Sequence, residues 1–240
     1  MSNADNWTLV SAGPSIARIT KAHLLSGPIV TVNRAASTLW EKNIPVDFAA
    51  FADGPNAAWE RCGMEKLWRP PTILWVVSRP VQQLVPVDPD TVPKGQKEKI
   101  VWKGEQAHLD IPGPPLAKLW DQALPCSIGI RLMPWGIVPD VTDPTKTRHG
   151  FTTLSAFMGI LRFQPRTIRI LCMDMAGSWV PGKTEEECHA IDMERQKLDR
   201  WAHERHLMQR TITETRAKGI RVEEVIPEPC EESLDGAVVH

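Results

Sequence analysis

Short apolar runs, each closed by a turn-forming or helix-breaking residue, recur along the chain. They fall at Trp7–Ser11, Ile29–Asn33, Phe48–Ala52, Ile73–Ser78, Ile168–Met173 and Ile220–Val225. Their length and their content of β-branched and aromatic residues predict strands. Near-continuous apolar character, rather than strict alternation, predicts strands covered on both faces, as in a parallel sheet. Between them the spacing lengthens to that of helices. Ser15–Leu25 follows the first run and Ser37–Asn43 the second. Leu154, Phe157, Met158 and Leu161 stand at i, i+3, i+4, i+7 just before the Ile168 run. Asp199–Lys218 reads as a helix closed by Gly219, a residue suited to the left-handed C′ position. Strand–helix alternation of this kind predicts an α/β fold with a doubly wound, mostly parallel, Rossmann-like sheet.

The stretch from 80 to 148 breaks the rhythm. "VPVDPDTVPKGQ", "DIPGPPL" and "DVTDPTKTRHG" carry too many prolines for core strands throughout. The expectation is one domain over 1–240, with 80–148 an irregular insertion over one rim of the sheet and 177–200 a candidate lid.

Composition narrows the partners more than the fold. The 240 residues are 42% hydrophobic and 24% charged, with a formal net charge of −1. That balance is ordinary for a globular protein and provides no basic field for nucleic acid or anionic lipid. No apolar run reaches the roughly 18–20 residues of a transmembrane helix. The start, "MSNADN", has neither the basic nor the apolar region of a secretory signal, so a cytoplasmic location is expected. Five scattered cysteines without a CxxC pair read as free thiols, and no four-ligand spacing predicts a metal site. Ten tryptophans stand against no tyrosine. Trp68, Trp75, Trp102 and Trp120 read as core or loop anchors.

Candidate chemistry sits at the strand ends. The first run climbs into Gly13-Pro14-Ser15, where glycine permits a tight turn, proline suits the first helical turn, and serine adds a hydroxyl at the positive end of a helix. This reads either as an anion cradle or as a plain tight turn. The glycine spacings of a dinucleotide loop and of a P-loop are both absent from it. Asn33, Asp53-Gly54 and Asp174 close other runs at the same expected edge, within reach of a base or ribose. Each alone is also a common turn-former.

In their order and spacing, "LVSAGPSI", "IVTVNRA", "VDFAAFADGP", "RHGFTTLSAFMGILRF", "TIRILCMDMAGSW" and "RWAHERHLMQRTITETRAKGIRV" resemble two related groups. One is the bacterial sialyltransferases that use CMP-sialic acid in lipooligosaccharide synthesis. The other is the Rossmann-like family of the archaeal 6-hydroxymethylpterin diphosphokinases. The likeness spans about residues 7–60 and 148–226 and skips the middle third. In the sialyltransferases the turn and the asparagine bind the nucleotide, which implies that role for Gly13, Pro14, Ser15 and Asn33. A Ser/Thr-Gly turn before the long helix touches the donor, which implies Gly150 and Thr152 here. A histidine ahead of the last helix is the general base, which implies His203, with His149 the competing candidate. An imidazole with a pKa near 6.5 suits that work.

The chain departs from the pattern in two places. The sialyltransferases hold the leaving phosphate with lid tyrosines, whereas the lid region here offers Ser178, Lys183, Arg195 and Arg200. Asp53 replaces an asparagine, which fits the diphosphokinase-like branch, where it could hold Mg²⁺ or a ribose. The expectation is a nucleotide-sugar-dependent glycosyltransferase that passes a sugar to a hydroxyl of a surface glycan, as in lipopolysaccharide synthesis, and requires no cofactor. The alternatives are an ATP- and Mg²⁺-dependent diphosphotransferase using Asp53 and Asp174, and a catalytically inactive nucleotide-binding module.

Overall fold

A computed structural model describes residues 5–65, 73–78, 82–124, 129–134, 137–139, 147–149, 151–174, 180, 183–194 and 198–228. In chain order the strands are β1 Asn6–Val10, β2 Ile29–Val32, β3 Phe48–Phe51, β4 Ile73–Ser78, β5 Gln82–Pro86, β6 Ile100–Lys103, β7 Gln106–Pro112, β8 Ile130–Pro134, β9 Ile137–Pro139, β10 Thr147–His149, β11 Thr167–Leu171 and β12 Arg221–Val225. The helices are α1 Ala35–Glu41, α2 Pro55–Cys62, α3 Leu116–Ala123, α4 Thr152–Leu161, α5 Glu185–Glu194 and α6 Leu198–Ala217.

Seven strands form one parallel sheet in the order β12-β11-β1-β2-β3-β4-β8. Side-chain alternation divides the core between its two faces. Val10, Ala49, Phe51, Leu74, Val76 and Leu171 pack with Ala35, Leu39, Ala58, Leu116 and Trp120, which puts α1, α2 and α3 on one face. Leu9, Val30, Ala50, Trp75, Ile168 and Ile170 pack with Leu154, Phe157, Ile160, Leu207, Met208 and Ile212, which puts α4 and α6 on the other. The fold is thus α/β, doubly wound and Rossmann-like. All six sequence-predicted strands are present, and Gly219 holds φ 85° after α6 as its C′ role requires.

Two elements differ from expectation. Ser15–Leu25 is not one helix but two 3₁₀ segments, Pro14–Arg18 and Lys21–His23, joined through extended Ile19 and Thr20. Ile16 and Ile19, both fully buried, repeat at three residues, which suits a 3₁₀ turn. Arg169 Nη1 then donates to the His23 carbonyl at 2.9 Å, and Thr8 Oγ1 accepts the Leu25 N–H at 3.0 Å. These bonds hold the segment against β1 and β11.

The stretch 80–148 is more ordered than its prolines imply. It contains the antiparallel sheet β5-β7-β6, helix α3 with Leu116 and Trp120 in the core, and β8, the seventh strand of the main sheet. Among the described residues, Pro86, Pro112, Pro134 and Pro139 close strands, and Pro115 precedes α3.

Candidate functional site

From β1 the chain steps strand by strand through β2, β3 and β4 to β8, then returns to β11 on the other side of β1. The crevice beyond the carboxyl ends of β1 and β11 is therefore the topological switch point, where open α/β sheets bind ligands.

At that point the two strands remain joined past their ends, with Ser11 N–H on Leu171 O at 2.9 Å and Gly13 N–H on Cys172 O at 3.0 Å. A Cβ on Gly13 would lie 2.4 Å from the Cys172 carbonyl and 2.8 Å from the Asp174 carboxylate, so only glycine fits. Asp174 takes the Ser15 N–H at 2.6 Å and the Ser15 hydroxyl at 2.5 Å. Ser15 is 1% exposed and Pro14 is buried. The anion in the Gly13–Ser15 turn is thus the protein's own carboxylate. Beside it, burial pushes the Cys172 thiol up to about 12, against the Ser15 hydroxyl, which acts to lower it.

Along the same edge, Asn33 ends β2 in the left-handed region at φ 50°. Its N–H is held by Ala50 O at 2.9 Å, and its Oδ1 is buried with no hydrogen-bond partner. Asp53 follows β3; its carbonyl accepts the Trp120 indole N–H at 3.0 Å, and its residue is half-buried. Gly54 is the extended N-cap of α2 ahead of Pro55. Asp174, Gly13, Asn33 and Asp53 follow four adjacent strands. The Asp174 carboxylate reaches over the turn after β1, whereas Asp53 follows β3, two strands further along the sheet.

Helix α4 enters this edge from the opposite face. Phe151 caps it without a side-chain hydrogen bond, and Thr152 and Thr153 are buried. The Ser11 and Thr153 hydroxyls meet at 3.0 Å, which ties the helix start to the end of β1. The first turn of α4 therefore directs its unpaired backbone N–H groups toward the carboxyl edge. His203 lies further along that face on α6. Gln209 Nε2 reaches Glu224 on β12 at 2.6 Å, and six residues of helix carry His203 about 9 Å beyond that level, past the end of the strand. Its Nε2 is buried without a hydrogen-bond partner.

A cleft of about 430 Å³ opens at the switch point itself, lined by Pro14, Arg18, Asp174, Glu185, Glu186, His189, Ala190 and Ile226. Its outer wall is α5. Thr184 and Glu187 cap that helix reciprocally, with Glu187 N–H on Thr184 Oγ1 at 3.2 Å and Thr184 N–H on Glu187 Oε2 at 2.8 Å. The backbone donor holds the Glu187 carboxyl below its ordinary range, and its own backbone N–H does the same for Glu186. Arg18 Nε stands 3.3 Å from Glu185 Oε1.

Of the sequence-predicted residues, Gly13, Pro14, Ser15 and Asp174 meet at the switch point, and Asn33, Asp53, Gly54 and Thr152 lie on the same edge. Gly150 and the His149 side chain lie outside the described residues, as do Ser178, Arg195 and the Arg200 side chain. Lys183 is exposed and pairs with Glu187 at 2.9 Å. Arg18, Glu185, Glu186 and His189 were not foreseen, since single charges in a polar stretch carry no periodic or motif signal. Among the described residues no group of three His, Cys, Asp or Glu side chains could hold a metal ion, and no helix is long and apolar enough to cross a membrane.

What the fold and this edge define is the Rossmann-like class. No protein-family model matches the chain, and no curated protein matches it significantly.

Proposed function

We propose that the protein binds a nucleotide-linked sugar along the carboxyl edge of its sheet and transfers the sugar to a hydroxyl acceptor. The observation that carries this reading is the pairing of an uncapped α4 N-terminus with the buried, unpartnered Oδ1 of Asn33 at one sheet edge. Free N–H groups at a helix start favour phosphate, and a buried carbonyl oxygen favours an N–H or O–H donor such as a base or ribose. The sialyltransferase resemblance implies the reaction type and a surface glycan as acceptor.

The geometry favours α4 over Gly13–Ser15 for the phosphate, because a ligand at Ser15 would have to displace Asp174. Asn33 and Asp53 then contact the nucleoside. His203 Nε2 accepts the acceptor's hydroxyl proton as the acceptor oxygen bonds to the anomeric carbon. The bond from that carbon to the phosphate oxygen breaks, and the nucleoside phosphate leaves with its charge facing the α4 N–H groups.

A transfer assay over CMP-, UDP- and GDP-sugars with the full chain tests the reading. Once a donor is found, His203→Gln is expected to lower kcat by about 10²–10⁴ while nucleotide affinity stays near wild type. Unreduced turnover in that variant removes His203 from the mechanism. Nucleotide binding with no transfer to any hydroxyl acceptor favours the inactive binding module.

A further inference from the structure

The small sheet β5-β7-β6 springs from the same edge as the Asn33 site. It lies in the connection between β4 and β8, which pair in parallel, so the chain enters it from the carboxyl end of β4. The chain leaves it through α3, and α3 is fixed beside the site. Trp120 donates its indole N–H to the Asp53 carbonyl at 3.0 Å, and a Cβ on Gly54 would lie 4.0 Å from Leu116 and Leu119. No described side chain of β5, β6 or β7 belongs to the apolar cores on the two faces of the main sheet. The small sheet therefore serves neither core.

Its outer strand, β6, exposes apolar surface beside positive charge. Among the large apolar side chains left open in the described residues, Val101 and Trp102 are neighbours on this one strand, and Trp102, at 60%, is the most open. Its cross-strand partner is Ala107, whose methyl group is too small to cover an indole. Lys94, Lys97, Lys99 and Lys103 are all exposed and stand against Glu98 and Glu105, a balance of +2 over residues 94–105 in a chain of net charge −1. Asp88 and Asp90 precede this run in a separate turn, closed by the Asp90 N–H on Asp88 Oδ1 at 3.0 Å. An open aromatic ring can cover the C–H face of a sugar, and exposed ammonium groups attract carboxylates and phosphates. A bilayer would call for an apolar tip. The turn after Trp102 is instead Lys103-Gly104-Glu105-Gln106, exposed throughout.

We propose that β6 and the lysines flanking it form a docking surface for a glycan bearing acidic groups, with Trp102 stacked on a sugar ring and the lysines paired with the glycan's carboxylates or phosphates. That this glycan is the acceptor rests on the transfer reading above; its binding to β6 does not.

Saturation-transfer NMR on the full chain, near neutral pH and without nucleotide, tests the assignment with tetragalacturonate as the probe. Its full methyl ester keeps the rings and lacks the charge, whereas butanetetracarboxylate keeps the charge and lacks the rings. Tetragalacturonate is expected to show saturation and the two controls none. Trp102→Ala, with its fold checked by circular dichroism, is expected to weaken binding about five- to tenfold, the scale of one aromatic contact. The double variant Lys97→Gln, Lys99→Gln is expected to weaken it about two- to tenfold, the scale of two partly screened charges. An equal signal from either control, or binding unchanged in either variant, would overturn the proposal. So would no binding of tetragalacturonate, and Trp102-dependent binding to phosphatidylglycerol vesicles would then assign the face to a lipid surface. Tetragalacturonate binding by a protein that no nucleotide stabilises would remove the transfer reading and leave the docking surface standing.

Discussion

Gly13 is glycine because two backbones and a carboxylate converge on the place its side chain would take. In Gly13→Ala the new methyl group meets the rigid Cys172 carbonyl at 2.4 Å, so the turn must shift rather than a side chain swing away. The expected cost is about 2–3 kcal/mol, typical of overpacking. In a chain of this size that is a fall in the thermal midpoint of roughly 5–10 °C, read by differential scanning calorimetry. Asp174→Ala acts on the same turn by a different cause. It leaves the Ser15 N–H and hydroxyl unpaired in a residue that is 1% exposed, at an expected cost of about 1–3 kcal/mol. A midpoint unchanged by either substitution would mean that the turn is not held as described. The sequence showed that Gly13, Ser15 and Asp174 stand at strand ends. It could not show that Asp174 fills the turn, because the bond joins residues 159 positions apart.

At the scale of elements, α5 is held at its start by electrostatics that titrate. Glu186 and Glu187 both have carboxyl pKa values below the ordinary range, chiefly from backbone N–H donors at the helix start. A depressed folded-state pKa contributes stability that is present above the unfolded value, about 4.3, and is lost as pH falls through the folded value. The α5 turn is therefore expected to be intact at pH 7 and to fray below about pH 4. Carbon chemical shifts of residues 185–194 across that range check it, and helical shifts that persist to full protonation would contradict it. The same scale explains what the pattern of apolar residues missed. β8 reads Ile130-Arg131-Leu132-Met133-Pro134, with Leu132 54% exposed and only Met133 fully buried among its described side chains, because it lies at the sheet edge. An edge strand needs no continuous apolar run, so its signal was lost among prolines. The 3₁₀ segments were misread for the opposite reason: Ile16 and Ile19 fit one turn of either helix type, and the bonds from Arg169 and Thr8 decide between them. Trp102 was also misread as an anchor, being 60% exposed on β6, whereas Trp75 and Trp120 are core residues.

For the whole molecule, the doubly wound sheet was legible because five of its seven strands are largely buried runs with breakers at their ends, and the edge strand β12, with only Val222 buried, follows directly on Gly219 and Ile220. Its core makes a further prediction. Cys62, Cys172 and Cys188 are buried and in no disulfide, and burial raises the first two thiols to about 11 and about 12. At pH 8 the native protein should leave all three unlabelled by a thiol reagent, with labelling in denaturant, read by peptide mass mapping. Rapid labelling of Cys172 without denaturant would place the β11 end outside the core.

The central claim, that the carboxyl edge beside Asn33 receives a nucleotide, is met most directly by thermal shift with CMP, UDP, GDP and their sugar conjugates on wild type and Asn33→Ala. The account predicts that one nucleotide, at about 100 times its Kd, stabilises wild type by about 2.7 kcal/mol and stabilises Asn33→Ala clearly less at the same concentration. No shift from any nucleotide, or an equal shift in the two proteins, would contradict it.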